Sequence, residues 1–176
     1  MEETSRLERP AIDPLAAMTA LEALLGTWRG SGRGHYPTID SFEYVEELVF
    51  TTNHHQPLFH YVQKTWKRGA NGEVAEPLHS ESGFLRCTPS GEFEISNAQD
   101  GGRVEVLRGG VPDGVDAEAT LELHFDSLVL AHDPRLLRTR RTFRLAQGVL
   151  RTTVEMATVR NPELTAHLEA ALTQSW

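Results

Sequence analysis

The hydrophobic pattern of the chain changes from a helical to a strand-like period near residue 26. Before that point Leu15, Met18, Leu21, Leu24 and Leu25 recur at helical spacing. Asp13 and Pro14 precede them as an N-cap and a first-turn proline, so a short helix is predicted that ends at Gly26. Beyond it apolar and polar residues alternate, as in Phe42, Tyr44, Glu46, Leu48 and Phe50. Alternation of this kind predicts a β-strand.

Short strand-like runs fill most of the remaining chain. They cover residues 58–66, 83–87, 104–107, 120–130, 138–145 and 150–159, with a further alternating pair at Phe93 and Ile95. Glycine, asparagine, aspartate and proline separate these runs, and no helical pattern lies between them. The sequence therefore predicts an all-β fold of eight to ten antiparallel strands, either an up-and-down barrel or a sandwich.

A second short helix is predicted near the C-terminus. Asn161 suits the N-cap, Pro162 the first helical position and Glu163 the first turn. The residues that would form its buried face are Leu164, His167, Leu168, Ala171 and Leu172. His167 is therefore expected to point inward, where an unpaired imidazole would cost about 1–3 kcal/mol.

Length and charge narrow the class of protein. The 176 residues fit one domain, predicted over 13–176, after a flexible start at residues 1–12. A formal net charge of −8 disfavours nucleic-acid and anionic-membrane binding. No apolar stretch reaches the roughly 20 residues that span a bilayer, and residues 1–5 are acidic and polar. A cytoplasmic location without membrane attachment is the resulting expectation.

The candidate metal chemistry centres on one histidine. Cys87 is the only cysteine, so neither an internal disulfide nor a cysteine-based zinc or iron–sulfur site is expected. From the residues alone, His167 suits a hydrogen-bonded core histidine better than a ligand. A haem iron, however, needs only one protein ligand, so the absence of a three-ligand motif leaves a haem site open.

The glycine-rich segment around Trp28 reads as a structural motif. Gly26, Trp28, Gly30 and Gly32 form the pattern G-x-W-x-G-x-G. It fits no phosphate-binding loop, because no strand precedes it and no helix follows it. Small residues would let the first strand bend while Trp28 closes the base of a barrel. Lipocalins and fatty-acid-binding proteins carry a similar G-x-W, so the motif indicates a barrel without indicating its ligand.

The chain resembles the nitrobindin family, over about residues 13 to 174. The matching segments occur in the family's order at 26–32, 36–39, 56–61, 65–66, 78–86 and 162–168. The resemblance implies an antiparallel up-and-down barrel of about ten strands, similar to fatty-acid-binding proteins. It also implies one haem b per chain, with ferric iron that isomerises peroxynitrite to nitrate and can bind nitric oxide.

The same resemblance assigns site residues. His167 would bind the iron through Nε2, Thr38 would lie at the haem edge, and His79 and Met156 would line the pocket. Where some members have a lysine near a haem propionate, this chain offers Arg135 or Arg138, with Arg135 the first choice. The basic run Arg135, Arg138, Arg140, Arg141 and Arg144 otherwise reads as a solvated strand face.

Other functions remain open at this stage. One is a non-enzymatic carrier of haem or of a small apolar ligand, and another is a nitric-oxide sensor or carrier. A zinc hydrolase is disfavoured, because His79, Glu81 and His167 share no motif spacing. A homodimer is a further expectation from the family.

Overall fold

The computed structural model describes residues 12–69, 71–114 and 120–175, and they form a closed barrel of ten antiparallel strands. The strands are β1 (Gly26–Tyr36), β2 (Ile39–Thr51), β3 (Leu58–Arg68), β4 (Val74–Cys87), β5 (Phe93–Gln99), β6 (Val104–Gly110), β7 (Leu121–Ala131), β8 (Leu136–Ala146), β9 (Val149–Thr158) and β10 (Asn161–Ser175). Of the segment predicted to be flexible, residues 1–11 lie outside the described part.

Each strand pairs with its neighbours in sequence, and β1 pairs with β10 to close the sheet. The up-and-down barrel is therefore confirmed over the sandwich. Closure gives every strand a neighbour on both sides, although the pairing of β7 with β8 ends at Asp126 and Arg140. Alternate residues of a barrel strand point into the barrel. The extent of the predicted single domain, 13–176, stays a prediction.

A helix closes one end of the barrel, as predicted from the first apolar residues. Helix α1 (Pro14–Thr19) begins after Asp13, whose carboxylate accepts a hydrogen bond from the backbone N–H of Leu15. A 3-10 turn (Glu22–Leu24) follows, and the carbonyl of Leu24 accepts a 2.7 Å hydrogen bond from the indole of Trp28. Trp28 is buried in the same core as the helix, so it seals the barrel base as expected. In the described residues, no helix has the length and apolar character needed to cross a membrane.

The predicted C-terminal helix is wrong, because residues 161–175 form strand β10. On β10, Ala166 pairs with Glu155 and Leu168 pairs with Val154, so His167 is an extra residue in a β-bulge. The bulge changes which residues face inward, from Thr165 before it to Leu168 after it.

The change of parity explains why the segment has a helix-like spacing. Beyond the bulge Leu168, Ala170 and Leu172 face inward, as expected for a strand. Ala171, which the helical pattern would bury, is exposed, and Ala170 is buried instead. A single extra residue in a strand can thus imitate a period of 3.6.

Candidate functional site

The end of the barrel away from the helix holds two adjoining chambers. The inner chamber has a volume of about 230 Å³ and lies within the barrel. The outer chamber, of about 600 Å³, lies among the turns that join β1 to β2, β7 to β8 and β9 to β10. Arg103, Met156 and His167 line both chambers. By itself, the outer chamber has a volume within the range of about 300–1,000 Å³ that is typical of small-molecule sites.

His167 enters this cavity from the bulge in β10. Its Nδ1 atom lies 3.1 Å from the carbonyl oxygen of His35. A carbonyl only accepts hydrogen bonds, so Nδ1 carries the proton and the neutral ring keeps a lone pair on Nε2. No described residue makes a hydrogen bond with Nε2. A backbone carbonyl on one ring nitrogen and a free lone pair on the other is the usual arrangement of a metal-binding histidine.

The surroundings keep the His167 ring neutral and fixed. Burial lowers the pKa of His167, and the nearby charge of Arg103 adds to the lowering, against the opposing hydrogen bond to His35. The ring of Tyr36 meets the imidazole edge-on, with 5.6 Å between ring centroids. Tyr36 is itself held by a 3.2 Å hydrogen bond from its hydroxyl to the carbonyl of Met156. The imidazole therefore has the neutral form and defined orientation that ligation requires.

His79 lines the wall of the inner chamber formed by β4. Its Nε2 lies 3.3 Å from a carboxylate oxygen of Glu81, and its Nδ1 lies 3.5 Å from a carboxylate oxygen of Asp100. The side chain is 29% exposed, so it joins a buried acid to a solvent-facing one. His79 thus both lines the cavity and pairs with Glu81.

The structure brings the other predicted residues to the same cavity. Met156 lines both chambers, and Thr38 and Arg135 line the outer one. Arg135 is 81% exposed and pairs with Asp133 through a 3.0 Å contact. Arg138, the second choice for a propionate contact, is exposed and lines neither chamber.

A buried ion network, which was not predicted from the sequence, forms part of the lining of the inner chamber. Arg141 lies inside the barrel, so its assignment to a solvated strand face was wrong. Its guanidinium binds both carboxylate oxygens of Glu81. The same guanidinium donates a 2.8 Å hydrogen bond to Glu105. Tyr61 donates another 2.8 Å hydrogen bond to Glu81. Burial by itself raises the pKa of the Glu81 carboxyl, but Arg141 and these hydrogen bonds outweigh it and hold the pKa well below its usual range.

The two-residue period of a β-strand predicts that Arg141 faces the barrel interior. Arg140 and Arg141 are adjacent on β8 and must point to opposite faces of the sheet. Arg141 shares its parity with the buried residues Thr139 and Phe143, so it belongs to the inner face.

Glu46 is a second buried acid beside this network. It is 2% exposed, and one carboxyl oxygen accepts a 2.7 Å hydrogen bond from Gln63, which lines the inner chamber. The other oxygen has no hydrogen-bond partner among the described residues. Burial raises the pKa of Glu46 to about 7, against the hydrogen bond from Gln63. A protonated Glu46 would therefore be common at neutral pH.

Comparison with known families gives this geometry a context. A family model described as "THAP4-like, heme-binding beta-barrel domain" matches residues 17–174. The chain belongs to this haem-binding β-barrel family. The match covers all the residues that line the two chambers, including His167, and it confirms the resemblance to a haem-binding barrel family.

Several relatives are similar in sequence to this chain over most of its length. A peroxynitrite isomerase of Arabidopsis thaliana is 41% identical over 165 residues, covering 94% of this chain and 92% of the relative. One from Nocardia farcinica is 35% identical over 167 residues, covering 93% and 94%. The crystal structure of Rv2717c from M. tuberculosis matches with a TM-score of 0.77 and 34% identity, covering 91% of this chain and 98% of that one.

The residues present fit a haem. His167 offers the single imidazole that a haem iron requires from the protein, with its other nitrogen already bonded. In residues 12–69, 71–114 and 120–175 no three His, Cys, Asp or Glu side chains are grouped to hold a bare metal ion. The ligand set therefore suits an iron that brings its own porphyrin nitrogens.

Proposed function

We propose that this chain binds one haem b through Nε2 of His167 and isomerises peroxynitrite to nitrate. The observation that carries the proposal is the hydrogen bond between Nδ1 of His167 and the His35 carbonyl. It leaves Nε2 as the ring nitrogen able to bind a metal at the junction of the two chambers. The family's haem-binding description and the isomerase names of the relatives agree with this assignment.

The donor set supports the proposed cofactor type and stoichiometry. Cys87 is the only cysteine, whereas covalent c-type attachment uses the motif C-x-x-C-H, so a non-covalent b-type haem is the form that suits the chain. One His167 lining one pair of joined chambers supports one haem per chain. A haem iron bound there supplies a Lewis-acid centre that can template the rearrangement of an oxyanion.

The protein's own residues prepare the site. His167 stays neutral, because burial lowers its pKa, so no proton has to leave before it binds a metal. Tyr36 and the His35 carbonyl fix the ring orientation, which limits the motion of any group bound to Nε2. The Glu81–Arg141 pair holds the wall that carries His79, so that the polar face of the inner chamber keeps its shape.

The activity is tested by stopped-flow decay of peroxynitrite with quantification of nitrate. Haem-loaded wild-type protein is expected to accelerate decay and to raise the nitrate yield. His167→Ala should lose both effects, while His55→Ala, an exposed histidine of the turn between β2 and β3, should keep them. Reversible binding of nitric oxide without faster peroxynitrite decay would favour a sensor or carrier instead. Equal uptake of an apolar ligand by both variants, with no specific haem binding, would favour a lipid-type carrier.

Three further expectations accompany this proposal. Nitric oxide binding belongs to the same proposal, since a haem iron that takes one protein ligand can also bind a small neutral molecule. The homodimer and the cytoplasmic location stay predictions. Sedimentation velocity and cell fractionation would test them.

A further inference from the structure

Arg103 occupies the neck between the two chambers, and neither the predicted site nor the proposed function uses it. It immediately precedes β6 and lines both the inner and the outer chamber. Its side chain is 24% exposed, so the guanidinium is partly withdrawn from solvent. His167 lines the same two chambers.

The carboxylates near Arg103 already have stronger partners. The Oε1 atom of Glu105 lies 3.4 Å from Nε of Arg103, a longer contact than the 2.8 Å hydrogen bond that its Oε2 atom accepts from Arg141. Asp133 lies 3.8 Å from Arg103, but it holds Arg135 in a two-pronged contact at 3.0 and 3.3 Å.

Arg103 therefore keeps unused hydrogen-bond donors. No described residue accepts a hydrogen bond of normal geometry from its guanidinium, and its Nε atom is buried without a partner. A guanidinium with free donors beside a ligand cavity is suited to bind an anion, because its planar fork matches oxygen pairs.

The topology places Arg103 across the cavity from His167. Around the barrel, β6 is four strands from β10 in one direction, and β4, which carries His79, is four strands away in the other. Arg103 and His79 therefore belong to the wall that faces His167. A molecule opposite the imidazole would meet the donors of Arg103.

We propose that Arg103 is the specificity-determining residue that binds the anionic oxygens of a small oxyanion in the position opposite His167. The inference rests on the proposed function, and it names the residue that would select an anionic substrate over a neutral one. It predicts that removing the guanidinium weakens oxyanion binding without weakening the binding of a neutral ligand.

The test compares two ligands of the haem-loaded ferric protein, nitrite as the oxyanion and imidazole as the neutral ligand, by Soret titration. Arg103→Gln is expected to bind nitrite about tenfold more weakly, as for loss of one charge-assisted hydrogen bond, and imidazole unchanged. Arg103→Lys should keep part of the nitrite affinity because it keeps the charge. Arg144→Gln, which removes an exposed arginine on β8 paired with Glu122, is the matched control and should bind both ligands like the wild type.

Haemin titration of the same variants separates this inference from other roles. Unchanged nitrite affinity in Arg103→Gln overturns the inference. If the haemin affinity of this variant is lower while its nitrite affinity is unchanged, Arg103 binds a cofactor carboxylate instead. If the wild type takes up no haemin, the proposed function fails, and the anion site is decided on the cofactor-free protein. There, nitrate should shift the ¹⁵N resonance of Arg103 Nε, and an unmoved resonance would overturn the inference.

Discussion

The imidazole of His167 is hydrogen-bonded to the carbonyl of His35 in β1, at the point where the backbone pairing between β1 and β10 ends. The last paired residues are Gly34 and Leu168, and the next bond joins Nδ1 of His167 to the carbonyl of His35. The bulge that ends the regular register is therefore also what turns His167 into the cavity. The same bulge therefore sets both the register of β10 and the orientation of the His167 side chain.

The aromatic contact on His167 gives a first prediction. Tyr36→Phe removes the hydroxyl bond to Met156 but keeps the ring edge against the imidazole, so the free energy of unfolding should fall by about 0.5–1.5 kcal/mol. Tyr36→Ala also removes the buried ring and should lower it by about 3–5 kcal/mol and weaken haemin binding. Urea unfolding and haemin titration measure both. Equal haemin affinities in the two variants would show that the ring does not orient His167.

The sequence predicted most of the fold because strand alternation is a local signal. Phe42 to Phe50 alternates in the sequence and forms β2, and Asp13-Pro14 starts the only α-helix in the described residues. Strand β10 was missed because a bulge at His167 shifts its alternation by one residue, and that shift depends on pairing with β9. Neither the bulge nor its partner strand can be read from the segment itself.

The candidate site was predicted in part for a similar reason. His167, His79, Thr38, Met156 and Arg135 do line one cavity, but family resemblance, not spacing, brought them together. The buried acids and Arg141 were missed because a charged residue in an alternating strand is ordinarily assigned to the solvent side. The ion pairs that neutralise these charges join strands that are distant in sequence, as for Glu81 on β4 and Arg141 on β8.

The glycines of β1 give a second prediction. A Cβ atom at Gly34 would overlap the ring of Phe42, which lines the inner chamber. Gly34→Ala should therefore displace this ring, lower the free energy of unfolding by about 1–3 kcal/mol and weaken haemin binding. Gly101→Ala is the control, since a Cβ there meets open space. Wild-type haemin affinity in Gly34→Ala would show that Phe42 does not shape the chamber.

The buried pair of Glu81 and Arg141 gives a third prediction. Glu81→Gln leaves Arg141 with one acidic partner and should lower the free energy of unfolding by about 3–5 kcal/mol at pH 7. The folded-state pKa of Glu81 is depressed, so its stabilisation is present above about pH 4.3 and is lost as the pH falls through the lower folded value. The difference between variant and wild type should therefore shrink in acid.

A surface pair provides the control for Glu81. Glu47→Gln breaks a contact with the largely exposed Arg29 and should change stability by less than about 1 kcal/mol. Denaturant unfolding between pH 3 and 7 measures all three proteins. A Glu81→Gln effect as small as that of Glu47→Gln would contradict the assignment of a tightly coupled buried pair.

Glu46 predicts a pH dependence of opposite sign. Its folded-state pKa of about 7 lies above the value of an unfolded chain, so the folded protein holds the extra proton between about pH 4.3 and 7. Stability from this group therefore falls as the pH rises through that window. Glu46→Gln keeps an acceptor for Gln63 and should be more stable than the wild type at pH 8, by about 1–3 kcal/mol, and similar to it at pH 4. A stability difference that does not change with pH would contradict a raised pKa.

The most direct test of the account is haemin titration of wild-type protein and of His167→Gly, each with and without added imidazole. The account predicts a saturable one-to-one Soret band for the wild type, loss of that band in His167→Gly, and its return when imidazole occupies the vacated position. Haemin uptake by His167→Gly that equals the wild type without imidazole would contradict ligation by His167.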